Sequence, residues 1–124
     1  MKKEVIELKV ISFGYGFHFR LLDEKTGFVN ENFTLHRPYS CKIEDYKLLH
    51  FWKSIEELDI WKWKKKYPYW KQKGVPLLDG CDWELKLRDR NGRAKYCSGY
   101  ESFPRKFKEL IRELNNLFGS EVDF

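Results

Sequence analysis

The densest chemistry in the chain lies in eleven consecutive residues, Trp61-Lys62-Trp63-Lys64-Lys65-Lys66-Tyr67-Pro68-Tyr69-Trp70-Lys71. Lysines attract phosphates with a salt-dependent strength, and aromatic faces stack on unpaired bases at ~1–3 kcal/mol each. The same field would draw an acidic protein surface. A simpler use competes with both. Five aromatics in eleven residues require some burial, with the lysine stems lying along the rings and their ammonium groups in water. Between Ile60 and Leu78 stand Lys62, Lys64, Lys65, Lys66, Lys71 and Lys73 and no acid, against a net charge of +5 for the whole chain, so the rest sums to −1. The basic character is local, and a local feature is a candidate site.

A second basic stretch surrounds Asn91-Gly92, the strongest two-residue hairpin signal. With a two-residue turn Arg90 faces Arg93, Arg88 faces Lys95, and Leu87 pairs with Tyr96. Like charges directly opposite one another destabilise a hairpin, and an anionic partner would relieve them. Lys86 extends the stripe. The competing use is protection of an exposed strand against aggregation.

Catalysis has weaker support. His18 falls on a strand, His36 in a loop and His50 in a helix. Each could serve as a general base, but His18 has no nucleophile nearby in sequence. Asp79, Asp82, Glu84 and Asp89 cluster in sequence, and paired acids can hold Mg²⁺ beside phosphates. However, Asp79-Gly80 reads first as a turn and Asp89 as a strand end. No phosphate loop, dinucleotide fingerprint, nucleophile elbow or zinc motif is present. No catalytic residue, metal ligand or cofactor is assigned. Cys41, Cys81 and Cys97 are odd in number and widely spaced, which reads as reduced thiols in a cytoplasmic protein.

The elements that must position these residues follow from periodicity. Ile6, Leu8 and Val10 alternate with Glu7 and Lys9, and Tyr15, Phe17, Phe19 and Leu21 with His18 and Arg20, giving two half-buried strands. A hairpin loop over residues 23–27 leads to a third strand from Phe28 to about Leu35. Leu48, Phe51, Trp52, Ile55 and Leu58 recur at helical spacing, so a helix is expected from about Lys42 to Leu58, capped by Ser40. Residues 60–74 fit both a strand and a helix. Trp83, Leu85 and Leu87 open a strand that reverses into Ala94–Tyr100. Pro104 then leads a helix that buries Phe107, Leu110, Ile111, Leu114, Leu117 and Phe118 and closes at Gly119.

The two halves resemble each other. Phe17-His18-Phe19-Arg20-Leu21-Leu22-Asp23 matches Trp83-Glu84-Leu85-Lys86-Leu87-Arg88-Asp89 at an offset of 66, and the same offset pairs Pro38 with Pro104 and Leu48 with Leu114. Tandem ββα halves, about 15–58 and 81–118 and linked by the basic–aromatic segment 60–78, explain this. So do two similar elements meeting the same packing rules. Either way the chain of 124 residues reads as a single α+β domain. It should have an antiparallel sheet of about five strands, two helices on one face and the order βββα-ββα. With 18% aromatic residues it is not a disordered chain. No run of 18 apolar residues and no signal-peptide core is visible, so no membrane partner is expected.

The Asp79-Gly80-x-x-Trp83-x-Leu85-x-Leu87 strand, the Asn91-Gly92 turn and the helix led by Gly99 and Pro104 resemble an uncharacterised family of small bacterial proteins. Trp63-x-x-x-Tyr67 fits the same pattern. The resemblance covers roughly residues 43 to 118 and implies no activity.

The residues thus point to a non-enzymatic binding protein for an acidic partner, nucleic acid or a nucleic-acid-bound protein complex first. Lys62, Lys64, Lys65, Lys66 and Lys71 would capture it electrostatically, and exposed members of Trp61, Trp63, Tyr67 and Trp70 would add contact area. Arg88, Arg90, Arg93 and Lys95 would form a second patch if the fold brings the two together. The alternative is a protein–protein interaction module, such as a small inhibitor or immunity-type protein. Similar halves or an unpaired edge strand would also suit a homodimer. A third reading is a small metal-dependent hydrolase or nuclease using the carboxylates of residues 79–89.

Overall fold

Where apolar and polar residues alternate, the chain forms sheet. The computed structural model describes residues 4–12, 15–32, 37–67 and 81–124. Strands β1 (Val5–Ser12), β2 (Tyr15–Leu21), β3 (Thr26–Asn30) and β4 (Tyr39–Lys42) lead to helix α1 (Asp45–Glu57) and a single 3-10 turn over Ile60–Lys62. Strands β5 (Lys66–Tyr67), β6 (Asp82–Arg88) and β7 (Ala94–Tyr100) then lead to α2 (Phe107–Phe118). Ile6, Leu8, Val10, Phe17, Phe19, Leu21, Trp83, Leu85 and Leu87 are buried. They form one cluster with Leu48, Phe51 and Ile55 of α1 and with Leu110, Leu114, Leu117 and Phe118 of α2. Each such side chain contributes about 1.5–3 kcal/mol on leaving water.

The sheet has seven strands in the order β4-β3-β2-β1-β6-β7-β5, not about five, and it is mixed, because β5 runs parallel to β7. The two uncounted strands are its edges. Three of the four residues of β4 are exposed, and β5 has only two residues, so neither carries an alternation a sequence could display. Ser40, expected to cap α1, is instead paired with Phe28 in β4. The N-cap position falls to Glu44, whose side chain makes no capping bond, and the helix starts at Asp45. The chain therefore reads ββββα before the 3-10 turn.

β1 lies between β2 and β6, and the offset-66 likeness reappears as register on its two sides. Val10 pairs with both Phe17 and Trp83, Leu8 with both Phe19 and Leu85, and Glu7 with both Arg20 and Lys86. β2 and β6 run in the same direction and bury the same face, yet their hairpin partners β3 and β7 lie on opposite sides. The two strand pairs are thus related by reflection about β1, an operation that duplicating a chain of L-residues does not perform. The likeness is that of two strands docking on one partner.

Candidate functional site

The basic–aromatic segment is shaped by a reversal and a tether. Asp59 takes a left-handed conformation (φ 57°) after α1, and the Trp63 N–H donates to Ile60 O (3.0 Å), closing the 3-10 turn. The Lys64 N–H donates to the Tyr67 hydroxyl (3.0 Å), and the Ser98 N–H donates to Lys65 O (3.0 Å), fixing the segment to β7. This geometry turns Trp63 and Tyr67 inward, each only 8% exposed. Trp63 stacks on Phe107 (6.2 Å, 20°), and Tyr67 meets Trp83 (5.9 Å). Trp83 lies over Gly99, where any Cβ would collide with the indole, and its Nε1 donates to Ser102 O (2.8 Å). Neither Trp63 nor Tyr67 is therefore a surface for stacking bases, contrary to the role foreseen for exposed aromatics. Trp61 is half-buried and stacked on Trp52 (6.0 Å, 15°). Trp70 and Lys71 lie outside the described residues, as do His36 and Asp79.

Lys62, Lys64, Lys65 and Lys66 all remain exposed. Lys62 and Lys64 line a cavity of about 460 Å³ together with Arg105 and Lys106, over a wall that includes Trp63, Tyr67, Phe103 and Pro104. Among the described residues of this lining four cations face a single carboxylate, that of Asp59, which is 3.7 Å from Lys62 Nζ. α2 begins at this corner with Lys106 as its N-cap (φ 70°) and no side-chain cap, so the positive end of the helix dipole adds to the field. The sequence reading missed Arg105 and Lys106. Their signal was position, since bases at a helix N-terminus oppose the dipole and are placed there at a cost.

The second basic stretch is used differently. β6 and β7 pair Arg88 with Ala94, Leu87 with Lys95 and Lys86 with Tyr96, one residue out of the expected register. The connection is a three-residue loop, not a two-residue turn: the Asp89 N–H donates to Arg93 O, and Gly92 sits at φ 87°. The Asp89 carboxylate selects this loop by accepting from the N–H groups of Asn91 (3.0 Å) and Arg93 (2.9 Å). Arg88 and Arg93 therefore escape the like-charge neighbours expected of them. Arg90 Nε donates to Glu4 (3.2 Å) and Nη2 to Asp45, and the Asp45 carboxylate, with Glu4 behind it, pushes the guanidinium pKa up. Arg93 donates to Glu56 (3.0 Å) and lies over the Trp61 ring (4.5 Å). Lys95 shares the side of Leu87 and is half-buried, whereas Lys86 and Arg88 are exposed on the opposite face. The arginines tie the hairpin to α1, and Arg93 is the member that reaches the basic–aromatic segment.

Other titratable groups are dispersed. His18 Nε2 meets Glu7 (2.7 Å), and His50 lies 3.8 Å from Glu113. Asp82 and Glu84 are exposed on β6, and Asp89 is occupied by its loop. Among the described residues no group of three or more His, Cys, Asp or Glu is placed to hold a metal ion. Burial pushes the thiols of Cys41 and Cys81 up, and that of Cys97 up to about 11. A larger cavity of about 830 Å³, at the other end of α1, is lined by Glu4, Asp23, Glu24, Glu44 and Asp45 with Lys25, Lys42 and Arg90. No helix among the described residues is long and apolar enough to cross a membrane. No protein-family model, curated protein or solved structure matches the chain.

Proposed function

We propose that the protein is a non-enzymatic binding protein that captures an acidic partner, nucleic acid or a nucleic-acid-bound complex, on the corner formed by Lys62, Lys64, Lys65, Lys66, Arg105 and Lys106. One observation carries this reading: two separate stretches of chain deliver four cations to one cavity whose described lining holds a single carboxylate. Trp63 and Tyr67 face the core, so the described part of this corner engages phosphates and not unpaired bases. Three thiols, none in a disulfide, suit a reducing, cytoplasmic setting.

The test is binding of fluorescent single- and double-stranded oligonucleotides at about 50 and 200 mM salt, where phosphate contacts weaken steeply. The expected result is salt-sensitive binding without strand preference, with the slope against log salt falling by about one for each lysine removed in Lys64/Lys65/Lys66→Ala. Absence of binding at the lower salt overturns nucleic acid as the partner. An acidic protein surface, the partner of an inhibitor or immunity-type module, would then be what the same field draws.

A further inference from the structure

Along β1 and β6 every second residue is turned away from the core. On β6 these are Asp82, Glu84, Lys86 and Arg88, all exposed, two acids followed by two bases. On β1 the residues in register beside them are Ile11, Lys9, Glu7 and Val5, a base and an acid between two aliphatic side chains. Both strings reverse sign across the same line, level with the Leu8–Leu85 pair, whose side chains are in the core. None of Lys9, Glu84, Lys86 or Arg88 takes part in an ion pair among the described residues.

We infer that this face is a two-fold docking surface for a second copy of the same chain. A two-fold axis parallel to the sheet, perpendicular to its strands and level with Leu8 and Leu85, lays each strand on its own copy in reverse. Lys9 then meets Glu7 of the other copy, Glu84 meets Lys86, Asp82 meets Arg88 and Ile11 meets Val5. Each contact occurs twice. The register also selects this axis over the alternative. An axis along β1 sets Lys9 on Lys9 and Lys86 on Arg20, because Glu7 pairs with both Lys86 and Arg20. The favoured axis has one opposed contact, Arg20 over His18, away from the centre. The five strands β7-β6-β1-β2-β3 span roughly 24 Å across and 24 Å along, about 570 Å² per copy at ordinary strand spacings. Two copies would cover about 1,150 Å², just above the ~1,000 Å² that a specific interface requires.

The experiment is sedimentation velocity on the full chain without nucleic acid, from about 10 to 300 µM at low and high salt, where mass action and screening both act. The expected result is a monomer–dimer equilibrium that salt weakens. Glu84→Lys and Lys86→Glu should each raise the dissociation constant by about tenfold or more, since one substitution alters two contacts. The double swap Glu84→Lys/Lys86→Glu restores the opposite-charge contacts between the two copies, at the expense of like-charge neighbours beside Lys9 and Glu7 within each, and should bring the dimer back. Arg20→Glu, which removes the opposed contact, should tighten it. A monomer at every concentration overturns the inference. So does a double swap no better than its parents, or a dimer indifferent to all four variants.

Discussion

Two stretches of this chain carry similar positive charge and are used in opposite ways. In residues 86–95 the arginines Arg90 and Arg93 are bound to Glu4, Asp45 and Glu56, so their charge stabilises the fold. In residues 61–67 the aromatics take the structural part, and Lys62, Lys64, Lys65 and Lys66 stay in water. Charge density alone does not mark a site. What distinguishes the two is that acids of another element bind the hairpin arginines, whereas the lysines of residues 62–66 are exposed. Asp45 and Glu56, near the two ends of α1, hold the hairpin, while Asp59 is the one acid among the described residues that line the corner.

The contrast can be broken at its strongest point with Trp63→Ala, which removes a ring packed between Trp83 and Phe107. It should cost about 3–5 kcal/mol in a urea titration. A pH series sharpens it next. Cys97 lies on β7 beneath the hairpin, with its thiol pushed by burial to about 11 from 9.0. A raised pKa means that the folded state holds the proton longer, so this contribution is intact below pH 9 and lost as pH rises through 11. That loss amounts to about 3 kcal/mol, and Cys97→Val should remove the slope. Arg90→Ala should cost about 1 kcal/mol, because it leaves Glu4, which also accepts from Trp52 Nε1 (2.6 Å), short of a partner. Lys64/Lys65/Lys66→Ala should shift stability by less than about 0.5 kcal/mol while strongly weakening binding to oligonucleotides. If that triple variant unfolds the protein, the distinction between the two stretches is wrong.

The sequence made much of this legible because alternation and helical spacing are direct records of burial. β2 and β7 appear at the bounds read from the residues, as do the buried face of α2 and its end at Gly119. What was not legible depends on partners distant in sequence. β4 and β5 exist because β3 and β7 offer them an edge, not because of their own composition. The hairpin register turned on a side chain, since Asn91-Gly92 suits a two-residue turn until the Asp89 carboxylate binds two N–H groups beyond it. The basic corner was half visible. Lys62 and Lys64 stood out in a run, but Arg105 and Lys106 join them only because the start of α2 lies beside the segment.

The position of β1 has a consequence for how the molecule is made. Its second partner, β6, begins roughly seventy residues after β1 ends. At ~5–20 residues per second a ribosome needs on the order of 4–14 s to supply that partner. Once β3 has followed, the β1–β2–β3 meander can form, yet one side of β1, with Ile6, Leu8 and Val10, has nothing to pair with. The strand that ends as the most enclosed in the sheet is therefore, during synthesis, its longest-lived open edge and the point at which a nascent chain would first engage a chaperone or a neighbouring chain.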